Sequence, residues 1–224
     1  MTTGEKTRRL SLAAVFCALA FLVALLPAPK VSFLSFDIKD TVIATASLLL
    51  GPSVAVSLSL AVPLLEFITV GTTGPWGLLM DVISTATFSV TVAFIYKYRK
   101  SLSGAILALS VSAVLQVAMM MLANLLITPL YTGAPRSVVA SMLLPLLLPF
   151  NATKSVFNAS LVMLLYKPIS EALRRAGFLG RKEAPSAYRF GGRSLLVFLI
   201  SFLVLLTAAL VLFLALGASF EGGK

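Results

Sequence analysis

Long apolar runs separated by short polar breaks dominate this chain. A helix that crosses a bilayer needs about 20 mostly apolar residues, because the hydrocarbon core is about 30 Å thick and each residue adds about 1.5 Å. By this measure the pattern predicts six helices and then a seventh. The six runs are residues 10–26, 41–50, 53–70, 77–96, 104–127 and 139–166. The seventh, residues 194–216, contains no charged residue and is the clearest spanning signal.

Proline and glycine mark the predicted ends of these runs. Pro52 suits the first turn of the third helix. Pro129 is expected to end the fifth helix, and Pro168 the sixth, which Pro145 and Pro149 interrupt. The second run is too short to cross a membrane, so we expect it to lie against protein.

This division predicts three parts. A six-helix bundle covers residues 1–167, a basic cytoplasmic linker covers 168–193, and an additional membrane helix with a short tail covers 194–224. Of all residues, 59% are hydrophobic and 12% are charged, whereas soluble domains carry about 25% charged residues. The expected fold class is therefore an all-α polytopic membrane protein.

The net charge of +10 does not indicate a nucleic-acid partner, because the basic residues lie in the breaks between apolar runs. Three Lys or Arg precede the first helix, three lie at 97–100 and seven at 167–193. The loops on the other side contain only Lys30, Lys39, Arg136 and Lys224. Positive charge concentrates in cytoplasmic loops, so we expect a plasma-membrane protein with a cytoplasmic N-terminus.

The residue types argue against an enzyme, a metal site or a bound cofactor. The chain has no histidine and a single cysteine, Cys17, inside an apolar run. Histidine is the commonest metal ligand and general base. One enzyme alternative stays open, in which Glu66 and Asp81 act as acid and base; both also suit interfacial water or helix capping.

Several polar residues lie inside apolar runs, where a charge commonly costs about 2.5–3.5 kcal/mol. Lys154 shares one helix face with Asn151 and with either Ser155 or Asn158. Asn124 lies near the end of the fifth run. The alternatives are snorkelling for the lysine and a helix–helix hydrogen bond for Asn124. Together, amides and one ammonium suit a heterocycle with carbonyl and imide edges, or hydroxyl groups.

Two other segments have unusual patterns. Residues 31–36 alternate as a strand does, which suggests an extended lid over a pocket. Ala14 and Ala18 form a small-residue face on the first helix, which permits a close helix contact.

Three motifs in this order carry a family resemblance: Gly-Thr-Thr-Gly at 71–74, Ile-Thr-Pro-Leu-Tyr at 127–131 and Pro-Phe-Asn-x-x-Lys at 149–154. Segments 34–40 and 50–52 match as well. Over about residues 10–167 the chain resembles the substrate-binding S components of energy-coupling factor (ECF) vitamin transporters, specifically the riboflavin-specific ones. The seventh helix departs from the six-helix pattern of that family.

The resemblance implies capture of riboflavin near the outer face for ATP-driven uptake, with riboflavin as the transported ligand. Asn124, Asn151 and Lys154 would contact the flavin. Other residues of the matching segments complete the expected site: Leu34, Phe36, Asp37, Gly74, Trp76, Met80 and Tyr131. Ala14 and Ala18 would face the transmembrane coupling subunit (T component), and two cytoplasmic ATPases would complete the transporter. The alternative within this class is another vitamin or precursor on the same bundle.

Overall fold

The structure is a computed structural model that describes residues 3–27, 30–31, 34–72 and 74–179, with a few positions between 196 and 207. Most of the predicted linker and of the predicted seventh helix therefore lies outside the described residues.

Almost all described residues are helical, which confirms the all-α prediction. The elements are α1 (Thr3–Ala24), β1 (Lys30–Val31), β2 (Leu34–Ser35), α2 (Lys39–Leu50), α3 (Pro52–Thr69), α4 (Gly74–Tyr98), α5 (Leu102–Thr132), α6 (Arg136–Met142), a π-helical turn (Leu143–Leu147) and α7 (Leu148–Arg175). Five helices are long and apolar enough to cross a membrane, with α6, the π-helical turn and α7 counted as one. The two short strands pair antiparallel, as the alternation at 31–36 suggested.

The short helix α2 lies at the centre of the bundle and packs against α1, α3, α4 and α7. Its 12 residues give a length of about 18 Å at about 1.5 Å per residue. Ten of the 12 residues are buried, including Lys39 and Asp40 at its start. The expectation that this segment lies against protein is confirmed.

A tight turn at Gly51 joins α2 to α3. Gly51 has a φ of 88°, in the region that favours glycine, and Pro52 begins α3. The Arg9 guanidinium donates to the Leu50 carbonyl at 2.6 Å and to the Ser53 hydroxyl at 2.7 Å. Arg9 therefore belongs to α1 and stabilises this turn, and is not part of a polar segment before the first helix.

The prediction that prolines end the fifth and sixth helices is wrong. α5 continues through Pro129 to Thr132, and α7 continues through Pro168 to Arg175. A helix end leaves about four carbonyls without partners in the helix, whereas an internal proline frees only one. Left-handed glycines follow both helices instead, Gly133 with a φ of 70° and Gly177 with a φ of 76°.

The predicted interruption at Pro145 takes the form of a π-helical turn inside a continuous helix. The Leu148 backbone N–H donates to the carbonyl of Leu143, five residues earlier. Single π-helical turns occur often near functional sites, and this one immediately precedes Asn151 and Lys154. Elsewhere in the chain, α4 begins at Gly74 and not at the predicted Gly77. Only residues 70–73 therefore separate α3 from α4.

Two apolar clusters hold the bundle together on either side of α2. One joins α2, α4, α5 and α7 around Phe88, and the other joins α1, α2 and α3 around Ile43. Inside the first cluster the hydroxyls of Tyr96 and Tyr166 lie 2.8 Å apart. These contacts leave one face of each outer helix for lipid.

Gln116 of α5 connects four helices by hydrogen bonds. Its amide nitrogen donates to Asp40 of α2 and to the hydroxyl of Ser84 of α4, both at 3.0 Å. Its amide oxygen accepts from Ser155 of α7 at 2.7 Å. All four side chains are buried, so each depends on the others for its polar partners.

We expect Gln116→Leu to lower the free energy of unfolding by about 1–3 kcal/mol or more, because it leaves Asp40, Ser84 and Ser155 without a shared partner. Thermal unfolding in detergent measures the change. Val114→Leu, at a position that is 69% exposed on the same helix, is the matched control and should have little effect. Equal stability of Gln116→Leu and wild type would contradict the network's role.

Candidate ligand cavity

A cavity of about 440 Å³ lies at one end of the bundle. It lies where α2, α4 and α7 begin and where α1, α3 and α5 end, with β2 along one side. Its volume is within the range of about 300–1,000 Å³ that is typical of small-molecule sites. We call it the ligand cavity.

Most of the residues predicted to bind ligand line this cavity. They are Leu34, Asp37, Met80, Asn124, Tyr131, Asn151 and Lys154. Four separate parts of the chain contribute them: the segment before α2, and the helices α4, α5 and α7. The motifs that carry the resemblance therefore converge in space.

Three predicted residues lie elsewhere. Phe36 is buried with its ring edge-on to Phe150 and Phe157, at centroid distances of 6.0 and 5.2 Å. It anchors the segment before α2 to α7. Gly74 and Trp76 belong to the first turn of α4 and do not line the cavity; Trp76 is 40% exposed.

Both predicted amides are held in place by their own helices. The Asn124 amide nitrogen donates to the Met120 carbonyl at 2.8 Å, and its oxygen accepts from the Thr128 hydroxyl at 2.9 Å. The Asn151 amide nitrogen donates to the Leu147 carbonyl at 2.8 Å, directly after the π-helical turn. An asparagine amide has two N–H donors, so each retains one for a further partner.

Lys154 forms a buried ion pair and does not snorkel. Its ammonium donates to Asp37 Oδ2 at 2.7 Å, and only 11% of the lysine side chain is exposed. Asp37 Oδ1 is buried and has no hydrogen-bond partner among the described residues. Burial alone would raise the pKa of Asp37, but the Lys154 and Lys39 ammonium groups outweigh it and hold that pKa below its ordinary value. The carboxylate thus keeps one oxygen without a hydrogen-bond partner among the described residues, next to the cavity.

Lys39 is the site residue that the sequence analysis misplaced. It was assigned to an outside loop, but it is the first residue of α2, and only 3% of its side chain is exposed. Its ammonium donates to Glu66 of α3 and, at 2.6 Å, to Asp81 of α4. All three line the ligand cavity. Two carboxylates near helix ends in apolar surroundings require a cation. This requirement was the signal in the sequence that pointed to a partner such as Lys39.

This three-way ion pair bears on the alternative in which Glu66 and Asp81 act as acid and base. Glu66 and Asp81 both accept hydrogen bonds from one ammonium, so they fasten α2 to α3 and α4. Within the described part of the chain, no three His, Cys, Asp or Glu side chains are grouped as a metal site requires. The cavity is equipped with fixed donors and acceptors, which suits binding.

A further polar group below the cavity was also missed. Asp40 is fully buried, accepts from the Thr85 hydroxyl at 2.8 Å and from Gln116, and so links α2 to α4 and α5. Its neighbour Lys39 faces the cavity, while Asp40 faces the bundle interior. The helical periodicity of apolar residues in the short α2 does not by itself distinguish these two faces.

Ala14 and Ala18 lie on the exposed face of α1, away from the cavity. The opposite face, with Leu12, Phe16 and Ala20, is buried against the bundle. The small-residue face is therefore available to a partner helix.

We expect Lys154→Met to destabilise the protein by about 3–5 kcal/mol, because it leaves the Asp37 carboxylate buried without its cation. In Asp37→Asn/Lys154→Met the charge is gone, and much of that loss should be recovered. Thermal unfolding of the two single variants and the double variant forms a thermodynamic cycle. Additive losses in the double variant would contradict a direct ion pair.

Comparison with known proteins identifies the family. The family described as "ECF transporter, substrate-specific component" matches residues 8–166. A comparison with curated protein sequences found no match. Among solved structures, the S component of a bacterial ECF transporter superposes with a TM-score of 0.65 at 22% identity, over 76% of this chain and 99% of that chain. The S component for biotin from an ECF-type ABC transporter gives a TM-score of 0.55 at 17% identity, over 75% of this chain and 95% of that one.

Identities this low show only a shared fold. The family match is independent of them and covers most of the chain, including every segment that lines the ligand cavity. The chain belongs to the family of substrate-specific S components of ECF transporters.

Proposed function

We propose that this S component captures riboflavin in the ligand cavity. The observation that carries the proposal is the position of Asn124, Asn151 and Lys154 on one cavity, although they come from two different helices. These residues belong to the motifs that resemble riboflavin-specific S components. Asp37, from a third segment, joins them through its ion pair with Lys154.

The chemistry of the cavity suits the imide edge of an isoalloxazine ring. That edge has one N–H between two carbonyl groups. Asn124 and Asn151 each retain one N–H donor for a carbonyl. Asp37 Oδ1 retains an acceptor for the ring N–H, and the Lys154 ammonium has further donors. The protein therefore offers both donors and an acceptor, the two kinds of group that this edge of the ligand requires.

Another vitamin is the runner-up. The biotin-specific S component shares this fold, and a ureido ring also offers N–H and carbonyl groups to amides. Biotin differs from riboflavin in bearing a carboxylate, which the cavity's own carboxylates would repel. Biotin is therefore the informative competitor in any binding assay.

We further propose that the N-terminus is cytoplasmic and that the chain works with a T component and two ATPases in the plasma membrane. The orientation rests on the charge pattern. A basic cavity, lined by Arg8, Arg9, Lys97 and Lys100, lies at the opposite end of the bundle from the ligand cavity. The positive-inside rule places that end in the cytoplasm, and the ligand cavity then opens to the outside.

We expect Asn124→Ala and Asn151→Ala each to weaken riboflavin binding by roughly ten- to hundredfold, since a lost partner of a buried ligand group costs about 1–3 kcal/mol. Quenching of flavin fluorescence in detergent measures the affinity. Ser141→Ala, on the exposed face of α6, is the control and should bind as wild type does. Wild-type affinity in both asparagine variants would remove the proposed site, and a preference for biotin would remove the vitamin assignment.

Replacement of Ala14 or Ala18 by tryptophan should reduce co-purification with the T component by about tenfold, because a bulky side chain separates two closely packed helices. Riboflavin binding by the isolated chain should persist, since α1 presents this face away from the cavity. Val114→Trp, at an exposed position on α5, which does not contact α1, is the control. Unchanged co-purification of both alanine variants would show that another face binds the partner.

A further inference from the structure

Each described cation that lines the ligand cavity is already paired with a carboxylate. Lys39 donates to both Glu66 and Asp81, and Lys154 donates to Asp37. Three carboxylates and two ammonium groups therefore face the cavity. The polar groups that remain for a ligand are neutral amides and carboxylate oxygens.

The side chains that line the cavity are unlike those of a phosphate site. Side chains that bind phosphate are Arg or Lys whose charge is available to it. A phosphate monoester carries about −1.5 to −2 charges at neutral pH. In this cavity it would meet two ammonium groups whose charge is already balanced and carboxylates that repel it. An uncharged ligand does not meet that repulsion.

The two amides and the two carboxylates that hold Lys39 come from different helices around the cavity. Asn124 and Asn151 lie on α5 and α7, whereas Glu66 and Asp81 lie on α3 and α4. Of the charged lining side chains these two carboxylates are the most exposed, at 19% and 24%. The ribityl chain branches from the central ring of a flavin and not from its imide edge, so a flavin bound at the amides leaves its 5′-phosphate free to approach these carboxylates.

We propose that Glu66 and Asp81 are specificity-determining residues that select an uncharged ligand and discriminate against its phosphorylated form. The inference rests on the proposed function, so the relevant pair is riboflavin and its 5′-phosphate, FMN. The two carboxylates act by occupying the charge of Lys39, which would otherwise be available to a phosphate.

The test compares dissociation constants for riboflavin, FMN and a neutral 5′-ester of riboflavin in the purified full chain. The ester adds bulk at the same atom without charge, and so separates size from charge. We expect FMN to bind at least about tenfold more weakly than riboflavin, with the ester close to riboflavin, since one uncompensated charge is typically worth about a decade in affinity.

Asp81→Asn and Glu66→Gln/Asp81→Asn provide the variants. Both keep an amide oxygen that can accept from Lys39 while removing one or two negative charges. The ratio of the FMN to the riboflavin dissociation constant should fall by about tenfold per charge removed. Glu171→Gln, which lies in the second half of α7 beside Lys167, is the control and should leave the ratio unchanged.

The outcomes are distinguishable. Tight binding of both riboflavin and FMN by wild type would overturn the charge specificity and leave the proposed function intact. Weak FMN binding that does not change in either variant would overturn the role of Glu66 and Asp81. Binding of the ester as weak as that of FMN would assign the discrimination to size and overturn that role as well. Failure of wild type to bind riboflavin would overturn both proposals together.

Discussion

The burial of a charged helix start inside an apolar bundle is the constraint on which this structure depends. α2 is too short to cross a bilayer and has almost no surface of its own. Lys39 and Asp40 at its start are therefore almost entirely shielded from water. A buried charge without a partner costs several kcal/mol, so neighbouring helices must supply partners. Glu66 and Asp81 serve Lys39, while Thr85 and Gln116 serve Asp40. The positions of α3, α4 and α5 follow from these requirements as well as from apolar packing.

The same constraint prepares the ligand cavity. Lys39 and the carboxylates of Glu66 and Asp81 line it because they surround the start of α2. The ion pair of Lys154 with Asp37 fixes the segment before α2 against α7, and Phe36 holds that segment from the other side. Side chains fixed in this way lose little conformational freedom when a ligand binds, which favours affinity. Groups that stabilise the fold are thus also the groups that, in our proposal, select the charge of the ligand.

The sequence predicted much of this architecture but not its connections. Six apolar runs and the all-α class were readable because spanning helices need long uncharged stretches. The motif residues were readable individually, and seven of the ten predicted ligand residues line one cavity. The pairing of Lys39 was not readable, because its partners lie 27 and 42 residues away and no local pattern connects them. Hydropathy also assigns a lysine to a loop by default.

The predicted ends of the fifth and sixth helices were wrong for a related reason. Proline ends helices in water, where freed carbonyls find solvent, but inside the apolar bundle α5 continues through Pro129. α7 also continues through Pro168, an exposed position in its second half. The glycines after these helices, Gly133 and Gly177, were the better signals, because a left-handed residue satisfies the last carbonyls. Local rules derived from soluble proteins therefore need the solvent to be specified before they are applied.

The bundle is closed between its two ends, and this limits how a captured ligand can leave. Among the residues that the structure describes, the ligand cavity and the basic cavity share no lining residue. Between them lie the Asp40–Gln116 network and the apolar cluster around Phe88 and Val92. A ligand that passed straight through would have to separate α2 from α4 and α5 and leave Asp40 without partners, which is costly in a low-dielectric interior. Passage of a ligand through the bundle therefore requires a rearrangement of these contacts. This agrees with an S component that binds substrate and depends on other subunits for transport.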